Sequence, residues 1–126
     1  MSTRGIAEIN EEKHYIGSDA YPSFAKKTLK KAMTRLLKNV NYKYWDTQRR
    51  VEQFILFANS EAGFIWIEFE VFTEKLTPLF EEYRWIINVD RGTVREDTAQ
   101  HQRHKQSVIR IAKALKFKKA TGGLSI

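Results

Sequence analysis

Residues 16–23 read Ile16-Gly17-Ser18-Asp19-Ala20-Tyr21-Pro22-Ser23, and two kinds of periodicity meet there. Upstream, Thr3 to Ile9, with Ile6 and Ile9 its largest apolar residues, and His14-Tyr15-Ile16 are strand-like runs. The polar Asn10-Glu11-Glu12-Lys13 separates them, so residues 3–17 predict a hairpin. Downstream, Ala25, Leu29, Ala32, Met33, Leu36, Leu37 and Val40 recur at helical spacing. Between the two patterns Gly17 and Ser18 end the strand, and Pro22 pushes Tyr21 toward extended backbone. The helix then opens with Pro22 as its first residue or with Ser23 as its cap.

The rest of the chain continues the alternation of periods. Asp46 or Thr47 can cap a second helix running to about Ala58, with Val51, Phe54, Ile55 and Ala58 on its buried face. Between the helices, Tyr42, Tyr44 and Trp45 read as the end of a core rather than as a base-stacking platform. Asn59 to Gly63 reads as a loop. From Phe64 to Phe72 the pattern alternates, with Ile65, Ile67, Phe69 and Val71 on one face and Phe64, Trp66, Glu68 and Glu70 on the other. A second alternating run covers 81–90, and Asp90-Arg91-Gly92 turns it into a last strand at 93–96. Arg84 is expected to pair with Glu68 or Glu70 across strands. Asp97 or Thr98 can cap a final helix whose apolar stripe is Val108, Ile111, Ala112 and Leu115. The order ββααβββα predicts a single α+β domain over 1–119, an antiparallel sheet with helices on one face, and a flexible tail at 120–126.

At 126 residues, 42% of them hydrophobic, the chain is long and apolar enough to bury one core without staples. It has no cysteine, which excludes disulfides, thiolate metal sites and a thiol nucleophile. It has no apolar run of bilayer length and no signal-peptide pattern at its start. A cytoplasmic protein with no membrane partner is expected.

The net charge of +7 is unevenly spread. Residues 23–50 hold nine Lys or Arg against Asp46 alone, and residues 91–126 hold nine against Glu96 and Asp97. Residues 51–90 hold two, Lys75 and Arg84, against eight acids. Two basic blocks flanking an acidic middle can steer the chain toward an anionic partner.

Enzyme signatures are missing: there is no phosphate-cradling glycine loop, no G-x-S-x-G elbow and no H-E-x-x-H. His101 and His104 share a helix face but have no third ligand at a metal-specific spacing, and His14 stands alone in a strand. Neither a cofactor nor a metal is expected, and no catalytic residue is assigned.

The opening of the chain, Met1-Ser2-Thr3-Arg4-Gly5-Ile6, followed by Asp19-Ala20-Tyr21-Pro22-Ser23, resembles a group of small phage and bacterial proteins. Those open with Met, Gly or Ser, then Thr-Arg and a strand, and place an aromatic-Asp-Gly-Tyr-Pro cluster before a helix. This chain has Ser18 where the aromatic residue stands and Ala20 where Gly stands. The resemblance covers about the first third of the chain. It implies a mobile-element setting and a fold neighbourhood, and it transfers no activity.

Three readings of function follow, in order. The first is a small basic accessory protein binding DNA or RNA through Lys27, Lys31, Arg35 and Lys38 of the first helix and Arg103, Arg110, Lys113 and Lys116 of the last. The second is an interaction module that binds a host protein or a second copy of itself through Phe64 and Trp66 on the sheet face. The third is a small polar ligand site built from Arg4, Asp19 and Tyr21.

Overall fold

The computed structural model of the protein describes residues 3–71 and 82–97. Strands β1 (Gly5–Ile9) and β2 (Glu12–Ile16) form an antiparallel hairpin in which Gly5 faces Ile16 and Ile9 faces Glu12. Only Asn10 and Glu11 remain for the turn, and both have positive φ, 47° and 72°. Positive φ at both central positions is what a tight hairpin turn needs to match strand twist. The connection is therefore two residues shorter than its polar composition suggests, and Glu12 and Lys13 belong to β2.

Helix α1 (Pro22–Lys38) has Pro22 as its first residue, which settles the choice against a Ser23 cap. Tyr21 takes the cap position with extended backbone and no side-chain bond. The helix buries Ala25, Thr28, Leu29, Ala32, Met33 and Leu36, and Thr28 Oγ1 donates back to the Phe24 carbonyl (2.8 Å). A 3₁₀ turn at Tyr42–Tyr44 leads to α2 (Thr47–Ala62). Asp46 caps α2, its carboxylate accepting from the Arg49 backbone N–H at 2.8 Å. The helix runs one turn past Ala58 and stops at Gly63, whose φ of 85° is the left-handed conformation that glycine supplies without strain.

The remaining strands are β3 (Ile67–Val71), β4 (Tyr83–Asn88) and β5 (Thr93–Glu96). They assemble with the hairpin into one sheet of order β3-β2-β1-β4-β5. Three pairings are antiparallel, but β1 and β4 run parallel, with Gly5 beside Tyr83 and Ile9 beside Ile87. The α+β class stands, and the sheet is mixed rather than wholly antiparallel. β1 is thus the middle strand. The expected pairing of Arg84 with Glu68 or Glu70 fails for that reason: β2 and β1 lie between β4 and β3, and the register puts Arg84 beside Ile6.

Both described helices pack on one face of the sheet, α1 toward β5 and α2 toward β3. Their apolar stripes meet Ala7, Ile9, Ile16, Ile67, Trp85 and Ile87 in a single core. The last helix and the tail read from the sequence lie outside the described residues, as does 72–81. Among the described residues no helix is long and apolar enough to cross a membrane.

Candidate functional site

The 16–23 stretch is held by main-chain and indole hydrogen bonds. Trp66 Nε1 donates to the Ser18 carbonyl (2.8 Å), Trp85 Nε1 to the Ala20 carbonyl (3.0 Å), and Ala20 N–H to the Thr3 carbonyl (3.0 Å). An indole buried in a core needs an acceptor for its N–H, and these two find theirs in the carbonyls of the strand-to-helix turn. Asp19 sits between them with φ 54°, a left-handed conformation for which Asp is one of the favoured non-glycine residues. That is a local reason for Asp19. Arg4 is exposed, and no hydrogen bond or ion pair joins it to Asp19 or Tyr21 among the described residues. Tyr21 leans on Phe24, ring centres 6.1 Å apart. The three residues share an end of the fold but do not converge on a common point.

Trp66 is also displaced from its sequence reading. It is 1% exposed and packs edge-on against Phe24, ring centres 5.5 Å apart. It precedes β3 rather than lying on the outer face of that strand. Asn59, in the last turn of α2, fixes it there: Asn59 Oδ1 accepts from Trp66 N–H (3.0 Å) and Ile67 N–H (2.8 Å), and Nδ2 donates to the Ile67 carbonyl (3.0 Å). Phe64 remains exposed, next to a still more exposed Ile65. The pair Phe64–Trp66 therefore offers half the surface that alternation implied.

The basic face of α1 is built as its sequence spacing requires. Lys26, Lys27, Lys30, Lys31, Arg35 and Lys38 are all exposed, opposite the buried stripe, and α1 contains no acidic residue. Arg35 differs from the lysines. Its Nη1 reaches Glu61 Oε1 and Ser60 Oγ, each at 3.2 Å, and its guanidinium lies 4.6 Å over the Phe57 ring. It ties α1 to α2, which leaves the lysines as the surface cations. A shallow cleft of about 320 Å³ opens along this face, with Lys27 and Lys31 on one wall and Tyr21, Ser23 and Glu61 around it. Arg103, Arg110, Lys113 and Lys116 lie outside the described residues.

One polar cluster escaped the sequence reading altogether. The Asp90 carboxylate accepts from Arg50 Nη1 (2.8 Å), Thr47 Oγ1 (2.8 Å) and Asn10 Nδ2 (3.1 Å). Arg50 also donates to the Tyr42 carbonyl and stacks 3.9 Å over the Tyr42 ring, whose hydroxyl donates to the Val89 carbonyl (2.6 Å). Burial pushes Asp90 up, but the bonds from Thr47 and Arg50, the Arg50 charge and the bond from Asn10 outweigh it and hold the carboxyl below its usual value. The cluster joins both hairpin turns to the start of α2. Asn10, Thr47 and Arg50 each bond to the Asp90 carboxylate and Arg50 also engages Tyr42, so the cluster reads as architecture.

Comparison with protein-family models, curated proteins and solved structures returns no match. The chemistry of these surfaces is therefore the basis for a functional reading. Among the described residues no group of three or more His, Cys, Asp or Glu could hold a metal ion.

Proposed function

We propose that this is a small basic accessory protein that binds the phosphate backbone of nucleic acid through the outer face of α1. One observation carries the reading: Lys26, Lys27, Lys30, Lys31 and Lys38 share the exposed side of a helix that has no acid, and no ion pair engages them among the described residues. Lysines in such a row neutralise phosphates and release condensed counterions, which gives affinity without sequence preference. In the cleft beside Lys27 and Lys31, Ser23 adds a hydroxyl, and the Glu61 carboxylate that also lines it is paired with Arg35.

The test is fluorescence anisotropy with mixed-sequence DNA and RNA oligonucleotides. Binding should weaken steeply between about 50 and 200 mM salt, and Lys27→Gln with Lys31→Gln should reduce the slope of log affinity on log salt by about 0.9 per lost duplex contact. No binding at the lower salt, or a slope the double variant leaves unchanged, overturns the reading.

A further inference from the structure

Tyr21 and Phe24 stand at the helix-start end of the same cleft whose wall carries Lys27 and Lys31. Phe24, Lys27 and Lys31 follow one another at intervals of three and four residues on α1, so they share one helix face. At a rise of about 1.5 Å per residue, Phe24 and Lys31 are about 10 Å apart along the axis. The Tyr21 ring is 36% exposed. It tilts 49° against Phe24, and Phe24 meets the buried Trp66 edge-on at 85°. Trp66 is fixed in turn by its bond to the Ser18 carbonyl. The exposed ring is thus braced from the core through two others. Pro22 adds to this, because it holds the Tyr21 backbone extended, at φ -70° and ψ 150°. A ring placed in this way loses little freedom when something stacks on it. Tyr44 is more exposed, but Lys43 already lies over its ring, 5.1 Å from the centre.

The charge beside the Tyr21 ring is positive. Among the described residues lining the cleft Glu61 is the one acid, and Arg35 Nη1 pairs with it at 3.2 Å. Lys27 and Lys31 remain for an anion. Bases in a duplex are stacked on one another and show a protein only their edges, so a duplex offers phosphates to the lysines and nothing to the ring. An unpaired strand offers both, phosphates to the lysines and a base face to the ring.

Resting on the phosphate-binding reading above, we propose that this cleft takes one unpaired nucleotide of a single-stranded nucleic acid. The base stacks on Tyr21, and the phosphates beside it lie against Lys27 and Lys31. A cleft of about 320 Å³ is at the small end of ligand sites, which suits one base rather than a run of them. The lysines continue along α1 to Lys38, which suits a strand rather than a free nucleotide.

The test is fluorescence anisotropy at about 50 mM salt with a labelled oligothymidylate of about 15 nucleotides and an abasic strand of the same length. The two carry the same phosphates, and only the first has bases. Wild type should bind the thymidylate about fivefold more tightly than the abasic strand. Tyr21→Ala should bring the thymidylate down to the abasic level while keeping its salt slope, since no charge is lost. Tyr21→Phe keeps the ring and should bind as wild type does. Should Tyr21→Ala fail to fold, the comparison of the two strands on wild type still decides. Equal affinity of wild type for the two strands overturns the proposal and leaves the phosphate reading standing. A folded Tyr21→Ala that still tells them apart overturns it as well. Binding of neither strand overturns the proposal together with the phosphate reading.

Discussion

Gly5 is one residue whose type is dictated by its neighbours. A Cβ there would stand 2.6 Å from the Ala20 Cβ and 2.7 Å from the Tyr83 carbonyl oxygen. Neither can withdraw, because Ala20 is held by its bond to Thr3 and Tyr83 is paired in β4. Gly5→Ala should therefore destabilise by about 1–3 kcal/mol, as overpacking does, measured by urea denaturation. Nothing in the sequence around Gly5 announces this, since the contact joins three segments far apart in the chain. His14 was unreadable for a similar reason. A lone histidine in a strand gains its place in the core only once β3 supplies a carbonyl to its Nδ1. Asp19 takes a left-handed backbone, φ 54°, which its residue type suits, and that conformation is not visible in the sequence either.

At the scale of elements, helices were easier to read than strands. Capping and punctuation are local, so Pro22, Asp46 and Gly63 act within a few residues of the boundaries they set. Strand partners are not local. Alternation over 64–72 implies two faces, but among the described residues of that run the strand is Ile67–Val71, and Trp66 turns into the core instead. The Asp90 cluster shows what joins elements. The folded carboxyl holds its proton less tightly than an ordinary one, so the unfolded chain is protonated first. Its stabilisation is full above about pH 4 and is lost as the pH falls through the lowered folded value. Asp90→Asn should cost on the order of 1 kcal/mol at neutral pH, a modest sum because the carboxylate is partly solvated. Denaturation of wild type and variant should converge as the pH drops below about 4. A gap that stays constant through that range would contradict the assignment.

At the scale of the whole molecule, class and layering were readable while connectivity was not. Period 2 and period 3.6 are visible in the sequence, so an α+β domain with helices on one face follows from them. The place of β4 beside β1, and not beside β3, depends on pairing across most of the chain. That position also removes Trp85, Ile87 and Val89 from any shorter piece, although all three are in the core. A fragment of residues 1–82 should lack a cooperative melting transition by circular dichroism, despite carrying both described helices. A two-state melt from that fragment would show that the hairpin and helices are sufficient alone.

The parallel pairing of β1 and β4 has a consequence in time. A ribosome delivers the middle strand first and one of its two neighbours late, so β1 must wait with a bare edge while the helices and β3 are made. Closing that seam carries a large loop-closure cost, which puts folding among the slower α/β domains. During the wait the nascent chain offers an open row of backbone donors and acceptors beside buried-type residues, Ala7 and Ile9. The acidic stretch that emerges before β4 and the lysines of α1 then act as solubilising charge for the unfinished sheet.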